Sequence, residues 1–206
     1  MTQIVQRRDI EVAILETWHV GTGRGEGQHL DAVVERDIDG LPYLPGRTLR
    51  GLIRDAADVL ERWKHALPIT VEQVFGGKTA RTDAPGPSVS ATGLLSVSNA
   101  QLPEVERVFL ARTENAAFRQ QLFLSSFQTA LDPTTGAVKS QSLRGIELVV
   151  PVTLRATLEV RAADKAQAQA AWEVLTRALP LVRAVGAHKT RGHGRAHLSL
   201  LALEAA

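Results

Sequence analysis

A glycine-rich segment near the end of the chain carries the residues best suited to binding phosphate. Residues 186–195 are Gly-Ala-His-Lys-Thr-Arg-Gly-His-Gly-Arg and include no Asp or Glu. Glycines can adopt positive φ and allow a ligand to approach the main chain, where exposed N–H groups bind phosphate oxygens. The cationic and titratable side chains would add contacts to phosphate or ribose; they are His188, Lys189, Arg191, His193 and Arg195. This pattern predicts a loop that binds the sugar-phosphate backbone of a nucleic acid.

The histidines of this region allow a second interpretation, a zinc site. His188, His193 and His197 could supply nitrogen ligands. The chain has no cysteine, however, and these histidines lie in or beside a glycine loop rather than on one firm helix face. Contact with phosphate or ribose is therefore the preferred role for His188 and His193, and an ordinary surface role is preferred for His197.

A second group of cations lies at the start of a predicted helix. Beyond Gly46, apolar residues recur at helical spacing; they are Leu49, Leu52, Ile53, Ala56 and Leu60. Arg47, Arg50 and Arg54 fall on another face. Cations at a helix N-terminus oppose the macrodipole by roughly 0.3–1 kcal/mol each when exposed, so an anion is expected nearby. The alternative is a solvated helix face on which Arg54 pairs with Asp58.

Composition restricts the possible classes of protein. The 206 residues carry 24 basic and 22 acidic side chains, so the net charge of +2 does not identify a partner. A chain of this length favours one domain, here residues 1–206. The absence of cysteine excludes disulfides and thiolate chemistry. No apolar signal segment and no membrane-length apolar run is present, which predicts an intracellular, cytoplasmic protein.

Strand and helix signals alternate along the chain in an order that predicts the fold. Two βαβ units are expected, which together indicate a ferredoxin-like α+β domain. The predicted strands cover 10–16, 93–98, 147–160 and 197–203, and the predicted helices begin at Gly46 and at Asp164, the second ending near Leu179. Asp39-Gly40 predicts a hairpin turn. Trp63 and Trp172 occupy helical positions among apolar neighbours and are expected in the core.

Two insertions are expected in this domain. Residues 78–90 are rich in Gly, Pro, Ser and Thr and indicate an exposed, flexible insertion. Residues from about 112 to 148 contain Asp132-Pro-Thr-Thr-Gly136, with Pro early and Gly late, which is typical of a hairpin loop. A projecting β-hairpin is therefore predicted there. Because aromatic residues make up only 4% of the chain, backbone contact is expected to dominate over base stacking.

Four segments of the chain resemble the RAMP superfamily of CRISPR-associated proteins. They are Leu41-Pro-Tyr-Leu-Pro-Gly-Arg-Thr-Leu-Arg-Gly51, Val74-Phe-Gly-Gly77, Gly93-Leu-Leu-Ser-Val97 and the glycine-rich loop 186–195, and they occur in the family's order. Together these segments span most of the chain. The resemblance implies a ferredoxin-like fold and an RNA-binding role.

Within that superfamily, the chain most resembles the repeated backbone subunit of type III interference complexes. The resemblance implies that it binds guide RNA and cleaves paired target RNA at regular intervals. Asp31, which precedes Tyr43-Leu-Pro-Gly46, is similar to the loop aspartate required for cleavage. The hairpin that includes Asp132, Gly136 and Lys139 resembles the thumb that bends the guide-target duplex. Two departures are Arg47-Thr48, where smaller residues are usual, and the many glycines before Asp31.

The resemblance also implies the chemistry and the partners. Cleavage is expected to depend on a divalent metal, magnesium (Mg2+), with Asp31 as an ion or water ligand or as the base itself. The expected partners are guide RNA, target RNA and other subunits of a type III complex, including copies of this chain. His29, two residues before Asp31, is a further candidate acid or base.

Other roles remain open at this stage. Asp31 could instead cap a turn or lie in solvent, and the chain would then be a non-catalytic RAMP that caps or scaffolds the guide RNA. A third possibility is a guide-processing endoribonuclease of the same superfamily. Such enzymes generally cut with side chains that often include a histidine, rather than with the loop aspartate and the hairpin seen here.

Overall fold

A computed structural model describes residues 3–21, 31–77, 92–140 and 142–202. The strands are β1 (Ile4–Ile14), β2 (Leu95–Val97), β3 (Phe123–Gln128), β4 (Arg144–Val149), β5 (Thr153–Ala162) and β6 (Ala196–Leu200). The helices are α1 (Gly46–Arg62), α2 (Val71–Phe75), α3 (Glu104–Ala111), α4 (Ala116–Gln120) and α5 (Lys165–Ala178). Short 3₁₀ turns cover Thr113–Asn115, Leu179–Leu181 and Lys189–Arg191.

The main sheet confirms the ferredoxin-like α+β prediction. Its strand order is β2-β5-β1-β6, and every neighbouring pair is antiparallel. Strands β1 and β2 are therefore parallel to each other and connected through α1, and β5 and β6 are connected in the same way through α5. These are the two βαβ units that the order of sequence signals predicts.

The core lies between one face of this sheet and the two long helices. On β5, every second residue from Leu154 to Ala162 is buried, which is the period of a strand with one covered face. Helix α1 covers that face with an apolar stripe that includes Leu49 and Ile53. Helix α5 is capped by the Asp164 side chain, which accepts a hydrogen bond from the N–H of Gln167.

A separate antiparallel hairpin interrupts the domain between β2 and β5. Its strands β3 and β4 pair from Phe123 opposite Val149 to Gln128 opposite Arg144. Residues 31–36 run beside β4, where Ala32 forms a parallel bridge with Ile146. The hairpin is joined to the domain at Trp18, whose N–H and C=O both bond Val149 at 2.8–3.0 Å. The hairpin therefore contacts two extended segments from separate parts of the sequence, one at Trp18 and one at 31–36.

Several predictions of position required correction. The hairpin begins at Phe123 rather than near residue 112, because α3, a 3₁₀ turn and α4 occupy 104–120. Trp63 was wrongly expected in the core: it follows the last residue of α1 and is 69% exposed. Trp172 is buried as predicted. The insertion at 78–90 and His29 lie outside the described residues. Within the described ranges, no helix is long and apolar enough to span a membrane.

Candidate functional site

The tip of the hairpin is a tight turn built by Asp132 and Gly136. Asp132 Oδ1 accepts hydrogen bonds from the N–H groups of Thr134 at 2.9 Å and Thr135 at 3.0 Å. These bonds, with Thr135 first, hold the pKa of Asp132 below its ordinary value. Gly136 has a φ of +68° and donates its N–H to Asp132 O at 2.8 Å. Both residues therefore shape the hairpin loop, as the Pro-early, Gly-late pattern predicts.

A basic groove, here called the hairpin groove, lies along one side of the hairpin. Its volume is about 620 Å³. It contains three cations, Lys139, Arg144 and Arg191, and no carboxylate among the described residues that line it. Its other lining residues are Gln128, Thr129, Ala130, Ser140 and Ser142, all of which offer neutral polar or small groups. The groove therefore matches the charge and the hydrogen-bonding pattern of a phosphodiester backbone.

The glycine-rich loop reaches this groove through Arg191. Its Nη1 donates to Oε1 of Gln128 on the hairpin at 3.3 Å. A Cβ at Gly194 would lie 2.0 Å from Val185 O, and one at Gly186 would lie 2.3 Å from His19 O. These two glycines therefore allow the loop to pack against the domain. A Cβ added at Gly192 would meet no atom within 4 Å, so of these three glycines Gly192 leaves the most room for a ligand.

The two loop histidines lie near each other, with ring centroids 6.3 Å apart. His193 Nδ1 lies 3.0 Å from the hydroxyl of Thr17. Burial is the main cause that lowers the pKa of His188, and electrostatic interaction with Arg191, and then with His19 and His193, lowers it further. His188 is therefore held toward its neutral form, and the arginine and lysine cations of the loop are Lys189, Arg191 and Arg195.

The other predicted phosphate-binding cations differ in their surroundings. Lys189 is exposed, whereas Arg195 is paired with Glu16 at 2.9 Å. At the start of α1, Arg47 is exposed, and Nε of Arg54 is buried without a hydrogen-bond partner among the described residues. These four cations lie on two separate elements, the loop and helix α1.

Arg50 has an evident structural role. Its Nη2 donates to Phe75 O at 2.6 Å, and its Nε donates to Leu95 O at 3.3 Å. Burial first, and then the charge of Arg54, lower its pKa. Because Phe75 is the last residue of α2 and Leu95 is the first residue of β2, the Arg50 guanidinium connects α1 to both of these elements.

Asp31 lies at the base of the hairpin. Its N–H donates to Gly145 O at 2.8 Å, and its Oδ2 accepts the N–H of Gly145 at 2.9 Å. Asp31 is exposed, and its Oδ1 accepts no hydrogen bond from the described residues. The carboxylate is therefore anchored through Oδ2, and among the described residues Oδ1 has no hydrogen-bond donor.

The Asp31 carboxylate could hold one ligand position of a magnesium ion. No group of three His, Asp or Glu side chains suited to a metal exists within the described ranges. Mg²⁺ is commonly held by one or two carboxylates together with waters and substrate phosphates. An exposed carboxylate beside a basic groove, with no donor to Oδ1 in the described part of the chain, fits that kind of site. It does not fit a site made of protein ligands alone.

Sequence reasoning missed two buried polar residues, Glu147 and His19, near the segment that follows Asp31. Glu147 on β4 is only 7% exposed, and its carboxylate accepts from Val34 N–H at 3.0 Å and from Arg36 Nη2 at 2.5 Å. His19 is 5% exposed and donates from Nδ1 to Glu147 O at 2.7 Å. The one available signal was an acidic residue inside the apolar run Ile146-Glu-Leu-Val-Val150.

Comparison with known proteins identifies the family. The RAMP superfamily model matches residues 13–197. A chain of the type III-B Cmr-β complex in the apo state is 14% identical, with a TM-score of 0.65, over 95% of this chain and 97% of that one. A chain of the same complex bound to cognate target RNA is 13% identical, with a TM-score of 0.68 and the same coverage.

A third similar structure is a chain of a type IV-B CRISPR complex, with 17% identity and a TM-score of 0.61. That match covers 98% of this chain and 92% of the other. No curated protein sequence matches the chain. At these identities the structural likeness establishes the fold, and the match of the RAMP superfamily model to residues 13–197 establishes the family. The chain belongs to the RAMP superfamily.

Proposed function

We propose that this protein is a guide-RNA-binding backbone subunit of a type III CRISPR effector complex that cleaves complementary target RNA. Guide RNA, target RNA and other subunits, including copies of this chain, would be its partners. The structural similarity to chains of type III-B complexes supports the assembly. The cleavage role rests on the geometry at the base of the hairpin.

The observation that carries the proposal is the convergence of three distant segments. Asp31 bonds Gly145, which follows the groove residue Arg144. Arg144 pairs across the hairpin with Gln128, and Gln128 accepts the hydrogen bond from Arg191. An exposed carboxylate thus lies beside a groove whose cations come from the hairpin and from the glycine-rich loop. A phosphodiester bound in that groove would pass close to Asp31.

The reaction that suits this arrangement is attack by the RNA's own 2′-hydroxyl. The 2′-oxygen bonds to phosphorus, the bond from phosphorus to the 5′-oxygen breaks, and the 2′ proton leaves to a base. The 5′-oxygen takes up a proton, so the products carry a 2′,3′-cyclic phosphate and a 5′-hydroxyl. The groove cations would stabilise charge on the phosphoryl oxygens. Asp31 would orient or accept the 2′ proton, directly or through a water.

Magnesium would bind at Oδ1 of Asp31, with waters and RNA phosphate oxygens as the remaining ligands. When bound, the ion would neutralise charge that develops at the phosphorus. The main contribution of the protein would be in-line geometry, which is reached when RNA is bent over the hairpin.

A second candidate function is a non-catalytic RAMP that caps or scaffolds guide RNA. The hydrogen bond between Asp31 Oδ2 and the Gly145 N–H favours it, because that contact alone gives Asp31 a structural purpose. A guide-processing endoribonuclease is a third candidate. It would cut repeat RNA as an isolated chain, so incubation of the purified protein with that RNA separates it from the other two.

The experiment that tests the assembly is purification of the protein from its host, with sequencing of the bound RNA and measurement of subunit stoichiometry. Guide-like RNA with several copies of this chain per strand supports the backbone role. One copy per strand supports the capping role. A preparation without bound RNA contradicts both of these functions.

A further inference from the structure

Glu147 connects three segments of the site through four hydrogen bonds. Its carboxylate accepts from Val34 N–H at 3.0 Å and from Arg36 at 2.5 Å. Its main-chain N–H donates to Ala32 O at 2.9 Å, and its C=O accepts from His19 Nδ1 at 2.7 Å. Segment 31–36, β4 and the residues after β1 therefore meet at one buried residue, whose side chain bonds segment 31–36 and whose main chain bonds both neighbours.

The Glu147 carboxylate is an unusual group in this place. Glu147 lies in a strand whose residues from Gly145 to Val149 are all buried. Burial of the Glu147 charge is costly, and its partner Arg36 has a side chain that is 43% exposed, so the pair is only partly buried. The best-attested use of such a pair is to select one register among several.

Register matters here because Asp31 lies on the same segment. Side chains alternate along an extended segment, so a shift by one residue would turn every side chain of 31–36 to the opposite face. The shift would break the bond between Asp31 Oδ2 and Gly145 N–H and would move the carboxylate away from the hairpin groove. The bonds from Glu147 to Val34 and Arg36 form only in the observed register.

Arg36 completes this arrangement. Its guanidinium lies over the ring of Phe123, the first residue of β3, with 3.8 Å between the guanidinium carbon and the ring centroid. Arg36 thus contacts β3 through the ring and β4 through Glu147. Segment 31–36 is bound to both strands of the hairpin, so Asp31 and the hairpin form one unit.

We infer that Glu147 is a positioning residue for target cleavage, which holds Asp31 in register beside the hairpin groove through Val34 and Arg36. The inference rests on the proposed function, since it assigns Glu147 a role only through Asp31. Glu147 does not contact RNA in this account. Its loss is therefore expected to slow cleavage without weakening the binding of target RNA.

The test uses the complex purified with its guide RNA and carrying Glu147→Gln. The side-chain oxygen of the new glutamine can still accept from Val34 N–H, but its NH₂ group then faces Arg36 Nη2, and two donors cannot form a hydrogen bond. We expect the single-turnover cleavage rate to fall at least about tenfold, since displacement of a reacting group by about 1 Å can cost about 100-fold. Target affinity and guide content should stay unchanged. Hydrogen exchange at the Val34 amide should accelerate, because a neutral amide oxygen accepts more weakly than a carboxylate oxygen, while the Trp18 amide, bonded to Val149, stays protected.

Rescue separates a positioning role from a general loss of structure. In the double variant Arg36→Gln/Glu147→Gln, the carbonyl of Gln at position 36 can accept from the new NH₂ group, so cleavage should recover in part. The matched control is Glu159→Gln on β5, where a carboxylate likewise loses its charge beside arginine, in this case beside Arg7 and Arg161. Glu159 has no contact with segment 31–36, and the control should cleave at the wild-type rate.

Asp31→Asn in the same complex separates the proposed cleavage function from the positioning role of Glu147. If Asp31→Asn abolishes cleavage and Glu147→Gln leaves it unchanged, the positioning role is wrong and the proposed function stands. If Asp31→Asn cleaves normally, the proposed function is wrong and the positioning role falls with it. Parallel losses of cleavage and target affinity in Glu147→Gln, with no rescue, would mean that Glu147 only maintains the fold.

Discussion

The hairpin groove makes a quantitative prediction about the salt dependence of RNA binding. Cations that neutralise phosphates release counterions, and each contributes about −0.7 to the slope of log affinity against log salt for single strands. Lys139, Arg144 and Arg191 would together contribute about −2.1, which corresponds to an 18-fold loss of affinity between about 50 and 200 mM salt. Replacement of all three cations by alanine should remove that part of the salt dependence.

The single substitution Lys139→Ala isolates one contact. It should flatten the slope by about 0.7, so the affinity ratio of wild type to variant should shrink by about 2.6-fold between the same two salt concentrations. The loss should be uniform across RNA sequences, because phosphates carry no sequence information. Filter binding or fluorescence anisotropy of the full chain with single-stranded RNAs of different sequence measures both quantities.

A matched control is Lys165→Ala. Lys165 is an exposed lysine at the first residue of α5, and the ten-residue strand β5 separates it from the hairpin by about 30 Å. Its slope should equal that of the wild type. An unchanged slope for the Lys139, Arg144 and Arg191 variants would refute phosphate binding in the groove. A loss confined to some sequences would mean that bases are contacted instead.

Three further predictions follow from individual residues. Gly194 has a φ of +71°, and an added Cβ would lie 2.0 Å from Val185 O, so Gly194→Ala should lower the free energy of unfolding by about 2 kcal/mol or more and Tm by at least about 4 °C. At Gly192 an added Cβ meets no atom within 4 Å, so Gly192→Ala should cost only about 1 kcal/mol. Equal losses of stability in the two variants would contradict the close packing at Gly194. Arg50→Ala should destabilise the fold by about 2 kcal/mol by removing its bonds to Phe75 O and Leu95 O, and it should leave the salt slope of RNA binding unchanged. The pKa of His188 is held below 6.5 mainly by burial and should rise when RNA phosphate binds, so RNA affinity should increase as pH falls toward 6. In the protein without RNA, the contribution of His188 to folding stability should be complete above pH 6.5 and should be lost as pH falls through the folded-state pKa. An NMR titration of His188 with and without RNA checks this, and an unchanged pKa would exclude contact with phosphate.

The sequence predicted the main sheet and its helices because their signals are local and periodic. Helix α5 has a capping Asp164 and a buried apolar stripe, and both are visible in the sequence. Helix α3 was missed although its apolar residues Val105, Val108 and Phe109 recur at helical spacing; the helix covers only eight residues, and none of them is buried. Trp63 follows the apolar period of α1 but lies one residue beyond its end, where the covered face is no longer maintained.

The arrangement of the candidate site depended on contacts between distant residues. The role of Arg50 is set by two carbonyls on other elements, 25 and 45 residues away, which no helical spacing reveals. Glu147 and Arg36 are 111 residues apart, so the buried acid in β4 could not be matched to its partner. In the glycine-rich loop, the sequence indicated freedom of φ, but it could not show that Gly186 and Gly194 use it to pack against the domain.

Cleavage of target RNA by the guide-loaded complex that carries Asp31→Asn tests the central claim most directly. The asparagine carbonyl can still accept from Gly145 N–H, so the structural contact is kept and only the charged oxygens are lost. The account predicts that target RNA binds with wild-type affinity and that cuts at the positions served by this chain disappear. Wild-type cleavage by Asp31→Asn would contradict the account and would leave Asp31 with a structural role at the base of the hairpin.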